Sequence, residues 1–264
     1  HKEYRRQRQM CIRDRDWGWV KPLIASCEEA RLETGLGGDV FVYGTCGLFG
    51  SNIWSDYVYS EGQANAVVAK LSSGGVWQWQ TTVTSPNWVR GFVKGFRVQA
   101  DGTIILAGNY GTGMNFGGTV MTDYGVYVAR MSATGTWDWI RTGGAHNNYD
   151  GVSAVTVRPN GNIVVAAYYQ QAGTPTYGSV TLTGTDAPRD IAVLELTSSG
   201  SWLSAMRIGK SCYCGWSVIE DPFGIEAFAD GALILGGQFS STNLSAGAFT
   251  LSTSGGQDIF IITL

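Results

Sequence analysis

The chain repeats one sequence unit about four times between residues 17 and 264. Paired or single tryptophans mark each copy: Trp17 and Trp19, Trp77 and Trp79, Trp137 and Trp139, and a degenerate Trp202. The first tryptophans of successive copies are 60, 60 and 65 residues apart. Self-similarity at a fixed period indicates a repeat architecture, in which each unit is one supersecondary structure that packs on its neighbours. The period therefore constrains the fold more than any other feature of the sequence.

A turn followed by a short apolar run recurs in step with the tryptophans. The turns are Gly38-Asp39, Asp101-Gly102, Asn160-Gly161 and Asp230-Gly231. Asp-Gly and Asn-Gly are strong hairpin signals because both central positions favour positive φ. The run that follows is short enough for a strand buried on both faces. Each unit is therefore predicted to be a four-stranded up-and-down meander, with both tryptophans on one side of the fourth strand, as a period of two requires.

Helical periodicity is almost absent from the sequence after residue 34. Four-stranded sheets repeated about every 60 residues favour an all-β fold, a β-propeller of about four antiparallel blades. The alternatives are a β-sandwich, which has no reason to repeat, and an open β-solenoid, whose repeats are usually shorter. The predicted blades cover roughly residues 21–83, 84–142, 143–208 and 209–264, with 16–20 as a stray fourth strand. The tryptophans are predicted to form inter-blade core.

The unit resembles the bacterial β-propeller repeats called SBBP, which occur in secreted and surface proteins. The resemblance rests on the Gly-rich loop and the stretch FGGTVMTDYGVYVARMSATGTWDWIRTGG at 116–144, on 64–80 and on 251–264. It implies the propeller fold and an extracellular or cell-surface location. Part of the same stretch is also similar to quinoprotein-type propeller repeats, which usually have shorter periods and rank second.

Residues 1–15 differ in composition from the rest of the chain. They hold six basic and two acidic side chains, and QRQMCIRDR within them resembles a translated sequencing-adapter read. We expect this segment to be non-native or disordered; the alternative is a genuine basic arm. Residues 16–264 keep 12 basic and 19 acidic side chains. A net-acidic span argues against a nucleic-acid partner, which requires clustered cations.

The phase of the repeat leaves two arrangements open. The chain begins with a fourth strand and ends with the first three strands of another unit. The loose ends either close a four-bladed ring or belong to a slice of a larger propeller, and we favour the slice. A slice would expose sheet edges, so self-association is expected. No run of 18 apolar residues predicts a membrane span.

The long loops of the predicted meander share one face, which is the candidate binding face because binding residues concentrate on loops. Aromatic rings with nearby amides suit sugars or extended peptides, although the same rings can pack between blades. The candidate ligand-binding residues are Trp88, Tyr110, Tyr149, Asp150, Tyr169, Tyr213 and Trp216.

Catalytic signals are weak. His146 is the only histidine after the N-terminal segment, and no serine lies in a nucleophile-elbow context. Carboxylates on or near the long-loop face include Asp56, Glu61, Asp123, Asp150, Asp186, Asp190, Glu220 and Asp221, and two of them could reach glycosidase separation. Asp123, Asp190 and Asp258 recur before the third strand, which favours loop-closing hydrogen bonds. No cofactor or metal is predicted.

Four cysteines remain after Cys11. Cys27 and Cys46 are predicted on the long-loop face and form a plausible disulfide in an exported protein. Cys212 and Cys214 lie together in another long loop. They are expected to form either a strained disulfide with each other or bonds to a partner that is missing from this sequence. Free thiols and, less favoured, a metal site are the alternatives.

The sequence thus predicts an extracellular or surface binding or display module for a glycan or protein ligand. The alternatives are a propeller enzyme, either a glycan-active hydrolase or lyase or a quinone-dependent dehydrogenase, and a purely structural repeat. These alternatives stay open because a fold does not fix a function.

Overall fold

The structure is a computed structural model, which describes residues 18–19, 27–46, 65–85, 93–145, 150–170, 174–182, 189–209, 220–253 and 256–264. In these residues the fold is all-β, with one 3-10 turn at Leu36–Gly38 and no α-helix. No helix there is long and apolar enough to cross a membrane. The sequence prediction of an all-β chain is confirmed.

Each repeat unit supplies one antiparallel sheet. Sheet one contains β1 (Cys27–Thr34), β2 (Val40–Cys46), β3 (Asn65–Leu71) and β4 (Trp77–Val83). Sheet two contains β5 (Val93–Val98), β6 (Ile104–Tyr110), β9 (Gly125–Met131) and β10 (Trp137–Gly143). Sheet three contains β11 (Gly151–Val157), β12 (Ile163–Gln170), β15 (Arg189–Leu196) and β16 (Trp202–Ile208). Sheet four contains β17 (Glu220–Ala227), β18 (Leu233–Phe239) and β21 (Asp258–Thr263).

Strand order within each sheet follows chain order, so the predicted four-stranded meanders are confirmed for sheets one to three. In the described part of the chain, sheet four has three strands. The turns after the first strands form at the predicted residues: Gly102 has φ +80°, and the hydroxyl and N–H of Thr103 donate to the Asp101 carboxylate. These bonds to the charged form lower the pKa of Asp101. The turn type differs from the prediction, because the Gly102 N–H donates to Gln99 O, which makes Ala100 and Asp101 the central residues and places Gly102 after them.

The sheets stack face on face, which explains why their second strands are apolar on both sides. We call the face of a sheet toward the next unit its leading face and the other its trailing face. Val126 and Val128 on the leading face of sheet two pack against Val155 on sheet three. Ile191 and Val193 of sheet three likewise pack against sheet four, and Ala66 and Val68 of sheet one against sheet two. Three buried cores therefore lie between four successive sheets.

The paired tryptophans do lie at these junctions, but they do not share one side of their strand. A register shift between Trp137 and Trp139 places the two rings on opposite faces of sheet two. Trp137 packs edge-on against Phe116 of its own unit at a centroid distance of 5.5 Å. Trp139 instead lies over Gly200, in the last turn of sheet three. The expectation of one shared side is therefore wrong, because a bulge breaks the period of two.

The other tryptophans repeat this division. Trp19 lies over Gly75 and Trp79 lies over Gly135. Each of these glycines is in the last turn of the sheet that follows the tryptophan in the chain. Their indole N–H groups donate to Ser73 O at 2.9 Å and to Ala133 O at 3.0 Å. Trp202 packs on Tyr177, as Trp137 packs on Phe116. Trp77 is half-buried at the start of β4, and Trp17 lies outside the described residues.

Small hairpins fill three of the segments that the sequence analysis treated as loops. They are β7 (Asn115–Phe116) with β8 (Thr119–Val120), β13 (Thr176–Tyr177) with β14 (Val180–Thr181), and β19 (Leu244–Ala246) with β20 (Phe249–Leu251). Each hairpin bridges to the end of the preceding sheet, through Thr84–Asn115, Gly144–Thr176 and Gly209–Ser245. The hairpins therefore tie neighbouring sheets together at the end where the fourth strands finish.

Candidate functional site

The first strands of all four sheets meet at a ring of polar side chains. Glu33, Arg97, Thr156 and Glu226 occupy the same register position in β1, β5, β11 and β17, each opposite the second residue of its second strand. Arg97 donates to Glu33 Oε1 at 3.1 Å and also to Glu226. Thr156 donates its hydroxyl to Glu226 Oε2 at 3.2 Å, and the Val98 N–H donates to Glu33 Oε2 at 2.6 Å. One arginine thus links three of the four sheets at their inner strands.

A cavity of about 520 Å³ lies beside this polar ring. First-strand residues from all four sheets line it, with further walls from β18 and β21. Arg31, Lys94 and Arg97 supply its positive charges, and Glu33 and Glu226 supply its negative charges. The cavity is the place where the four units come together, which makes it the candidate binding site.

Backbone bulges shape the cavity wall. The first strand of every sheet has a register shift near its start. In sheets two to four the extra residues are Lys94, Ser153 and Phe223, and all three line the cavity. A bulge turns the extra side chain out of the regular alternation. Because the bulges lie nearer the strand starts than the polar ring does, this part of the cavity lies toward the long-loop ends of the sheets.

Charge is divided unevenly along the cavity. Both carboxylates face Arg97 in the polar ring, where the Val98 N–H and Thr156 also hold them. Arg31 lies two residues before Glu33 on β1, and its Nη1 donates to the carbonyl oxygen of Lys94 at 3.5 Å. The cationic residues Arg31 on β1 and Lys94 on β5 therefore lie beside each other at this end of the cavity, on the first strands of two neighbouring sheets.

A second cluster of charged groups lies buried between sheets three and four. Asp190 is the second residue of β15 in sheet three and Glu220 is the first residue of β17 in sheet four. The two residues are 1% and 0% exposed. A β-carbon on Gly209 would lie 2.8 Å from Glu220 Oε2 and closer still to Asp190 Oδ1, so the two carboxyl groups are neighbours. Arg207 donates Nε to Asp190 Oδ2 at 2.7 Å.

The surroundings of Asp190 and Glu220 favour the protonated form of a carboxyl group. Burial and the charge of Asp190, opposed by the Ser241 hydroxyl, together raise the pKa of Glu220 to about 8. Burial also raises the pKa of Asp190, against the opposing effect of Arg207. Two adjacent buried carboxylates cannot both ionise beside one arginine without a large desolvation cost. The surroundings therefore favour a single negative charge on the pair, beside Arg207.

This pair does not suit glycoside hydrolysis. Retaining and inverting glycosidases hold their carboxyl groups about 5 Å or more apart, with the sugar between them. Asp190 and Glu220 adjoin each other in a closed position, which suits a structural role between two sheets. Across the described residues, no group of three or more His, Cys, Asp or Glu side chains is arranged to hold a metal ion.

The predicted ligand-binding residues that the structure describes are buried. Tyr110 and Tyr169 are core side chains of the inter-sheet clusters, so neither ring forms a surface on which a sugar could stack. Tyr110 interacts with Asp123 and Tyr169 with Asp190 at 3.5 Å, and burial raises the pKa of both tyrosines. Asp150 is also buried; its Oδ2 accepts the Ala145 N–H at 2.6 Å and closes the loop between sheets two and three.

The other predicted ligand-binding residues lie outside the described residues: Trp88, Tyr149, Tyr213 and Trp216. The same holds for His146, Asp56, Glu61, Asp186, Cys212 and Cys214. Cys27 and Cys46 are described as backbone, and the two residues are register partners across β1 and β2. Their placement agrees with the range in which a disulfide can form, and the disulfide stays a prediction.

The cavity residues were not predicted from the sequence, because binding residues were expected on the long loops. Arg31, Lys94 and Arg97 lie within strands, where a charged residue at an inner position is unusual for a buried sheet. That signal was present in the sequence: Lys94 is one of only four lysines after residue 15. The partners of Arg97 are far away in the chain, so no local pattern joined them.

No family model and no curated protein matches the chain. Among solved structures, it is similar to a protein of unknown function from Dyadobacter fermentans DSM 18053. That similarity has 11% identity and a TM-score of 0.43, and covers 93% of this chain and 67% of that one. No family is assigned.

Proposed function

We propose that the chain is a β-propeller-type binding module of an extracellular or cell-surface protein, and that its axial cavity receives an acidic segment of a protein ligand. The observation that carries the proposal is the placement of two cationic residues, Arg31 and Lys94, side by side in the lining of the cavity. The convergence of four inner strands on one polar ring supports the propeller arrangement, because a propeller places its first strands around a central channel.

The chemistry of the cavity favours an anionic group as the part of the ligand that enters. Its carboxylates already accept hydrogen bonds from Arg97, Thr156 and the Val98 N–H, and two glutamates with one arginine leave this ring with a net charge of −1. Arg31 and Lys94 sit beyond these carboxylates, toward the long-loop ends. An incoming carboxylate would meet two cations in a concave, partly desolvated site, where such contacts are stronger than on an open surface.

A protein ligand is favoured over a glycan by the side chains of the wall. Sugar rings are usually recognised by exposed aromatic faces with neighbouring amides. The described lining has one exposed aromatic ring, Phe223, beside the buried rings of Tyr43 and Phe96, together with aliphatic residues and no Asn or Gln. An extended acidic peptide matches this lining better, because its backbone and apolar side chains can lie along strands while its carboxylates reach the cations.

The test measures binding of fluorescent peptides rich in Asp and Glu by anisotropy. Matched Asn/Gln peptides and acidic and neutral oligosaccharides provide the other arms. We expect the acidic peptides to bind and the double variant Arg31→Gln, Lys94→Gln to weaken Kd at least about tenfold, because two charge-assisted contacts are lost. The matched control is Arg130→Gln, which removes a cation paired with Asp138 on sheet two.

The outcomes separate the alternatives. Binding that survives in the double variant would place the ligand outside the cavity. Preference for acidic oligosaccharides over peptides would replace the protein ligand by a glycan. If no acidic ligand binds at any accessible concentration, the proposed function is wrong.

A further inference from the structure

The boundary between sheets three and four carries an acid that the boundary between sheets two and three lacks. By strand register Glu220 corresponds to Asp150, so both boundaries share this buried acid. Asp190, in contrast, corresponds to Gly125. A β-carbon on Gly144 would lie 2.6 Å from Asp150 Oδ2 and 3.6 Å from the Cα of Gly125. A glycine therefore stands beside Asp150 where a second carboxylate stands beside Glu220.

The carboxyl groups of Asp190 and Glu220 face each other without a donor between them. Gly209 occupies the place of Gly144, and a β-carbon there would lie 2.8 Å from Glu220 Oε2 and closer still to Asp190 Oδ1. Asp190 Oδ1 and both carboxylate oxygens of Glu220 are buried and accept no hydrogen bond within the described part of the chain. Buried acceptors without a donor cost free energy, and neighbouring carboxylates repel. One proton shared by the pair removes both costs, because it turns one oxygen into a donor.

The other polar groups around the pair balance one negative charge. From sheet three, Arg207 Nε donates to Asp190 Oδ2 at 2.7 Å, and the Tyr169 hydroxyl donates to the same oxygen at 3.5 Å. From sheet four, the Ser241 hydroxyl acts on Glu220 and opposes the rise of its pKa. Among the described residues these are the groups that face the pair, so one arginine is present for two carboxyl groups.

We propose that Asp190 and Glu220 form an acid-closed joint between sheets three and four. The joint is closed while the two carboxyl groups share one proton. When that proton is lost to solvent, two buried carboxylates face one arginine. Sheet four then opens more often, because opening lets water hydrate the second charge. The joint acts in the free chain, so it is independent of the ligand proposed above.

Opening of this joint would act on a defined set of contacts. Sheet four packs on sheet three through an apolar cluster that includes Ile191 and Ile225, and the ion pair of Arg189 with Asp221, at 2.8 Å, joins the same two sheets. Sheet four also carries Glu226, which belongs to the polar ring and lines the cavity. Movement of sheet four away from sheet three would therefore also displace one wall of the cavity.

The direction of the pH effect follows from the protonation of the two states. In the closed state the pKa of Glu220 is raised to about 8, whereas a glutamate in water has a pKa of about 4.3. The closed state therefore holds a proton that the open state loses between these values. The ratio of open to closed chains should rise with pH from about 5 to 8, by up to about tenfold per pH unit, and level off above 8.

Hydrogen–deuterium exchange of the full chain from pH 5 to 9, corrected for the intrinsic exchange rate at each pH, measures the opening of each sheet. We expect exchange in β17 and β18 to rise with pH relative to β5 and β6 of sheet two. Glu220→Gln should flatten this profile, because its amide does not titrate and can donate to Asp190. The matched control is Asp150→Asn, which changes the corresponding acid between sheets two and three and should keep the wild-type slope in sheet four.

Asp190→Asn is a second variant and should also flatten the profile, because Glu220 then has no carboxylate beside it. Circular dichroism shows whether each variant folds, and the comparison of sheets four and two in the wild type needs no variant. The same pH dependence in both sheets of the wild type would overturn the proposal. So would a folded Glu220→Gln or Asp190→Asn chain with the wild-type slope, or an equal flattening by Asp150→Asn.

Discussion

Trp79 lies so close over Gly135 that a β-carbon on this glycine would come within 2.6 Å of the indole ring. The contact joins sheet one to the last turn of sheet two, and Trp139 makes the same contact with Gly200 one unit later. Each such turn must therefore combine a positive φ with an empty side-chain position.

The first prediction follows from this contact. Gly135→Ala should lower the free energy of unfolding by about 2–4 kcal/mol, because alanine adds a clash to the strain of φ +83°. The control is Gly231→Ala, where φ is +91° but no atom lies within 4 Å of the added carbon. It should cost about 1–2 kcal/mol from backbone strain alone. Urea unfolding of both variants measures the difference; equal losses would contradict the packing role of Trp79.

The second prediction compares two positions that the repeat makes equivalent. Ile225 and Leu32 occupy the same place in the first strands of sheets four and one, but Ile225 is buried and Leu32 is 65% exposed. Ile225→Ala should cost about 2–5 kcal/mol by leaving a cavity, and Leu32→Ala less than about 1 kcal/mol. Chemical denaturation gives both values. A large loss for Leu32→Ala would mean that sheet four and sheet one pack against each other in solution.

The third prediction concerns pH. The pKa of Glu220 is raised to about 8 in the folded state, against about 4.3 for an unperturbed glutamate. Between these values the folded chain holds a proton that the unfolded chain has lost, so this group's contribution to stability decreases as pH rises from about 5 to 8. Glu220→Gln should reduce that slope and raise stability at pH 8 relative to the wild type. Melting curves from pH 5 to 9 test it, and parallel profiles for the two proteins would refute it.

The fourth prediction concerns the cysteines at the ends of β1 and β2. Cys27 and Cys46 are direct register partners, and partners in an antiparallel pair have Cα atoms about 4.5–5.5 Å apart, within the range of a disulfide. Non-reducing peptide mapping of protein folded under oxidising conditions should recover a Cys27–Cys46 link. Reduction should lower Tm, as should Cys46→Ser in the oxidised protein. Recovery of both thiols in the free form from oxidised protein would rule the link out.

Local pattern was enough for much of the fold. Asp101-Gly102 and its counterparts located the hairpin turns, because positive φ is a property of the residues in the turn. Apolar runs such as Ile104 to Leu106 located the second strands, since a strand buried on both faces must be apolar throughout. The tryptophan spacing fixed the unit length. The spacing could not show on which face of the sheet each indole ring lies, because this depends on a bulge in the pairing with the third strand.

The candidate site was much less accessible from sequence. The long-loop aromatics were predicted as binding residues because they are concentrated there. Tyr110 and Tyr169 are instead buried in the clusters that also contain Phe116 and Tyr177, whose hairpins have two-residue strands that leave almost no periodic signal. Arg97 gave no local hint of its role, because Glu33 and Glu226 lie 64 and 129 residues away in the chain.

By itself the sequence determined the period, the strand content, the turns and the acidic composition of the chain, because these depend on each residue and its near neighbours. Tertiary structure decided which residues act together. Stacking the sheets brought Glu33, Arg97, Thr156 and Glu226 to one ring, placed Asp190 beside Glu220, and left Ile259 and Ile261 uncovered. These relationships arise from packing between units, and the same apolar position is buried or exposed according to whether another sheet lies against it.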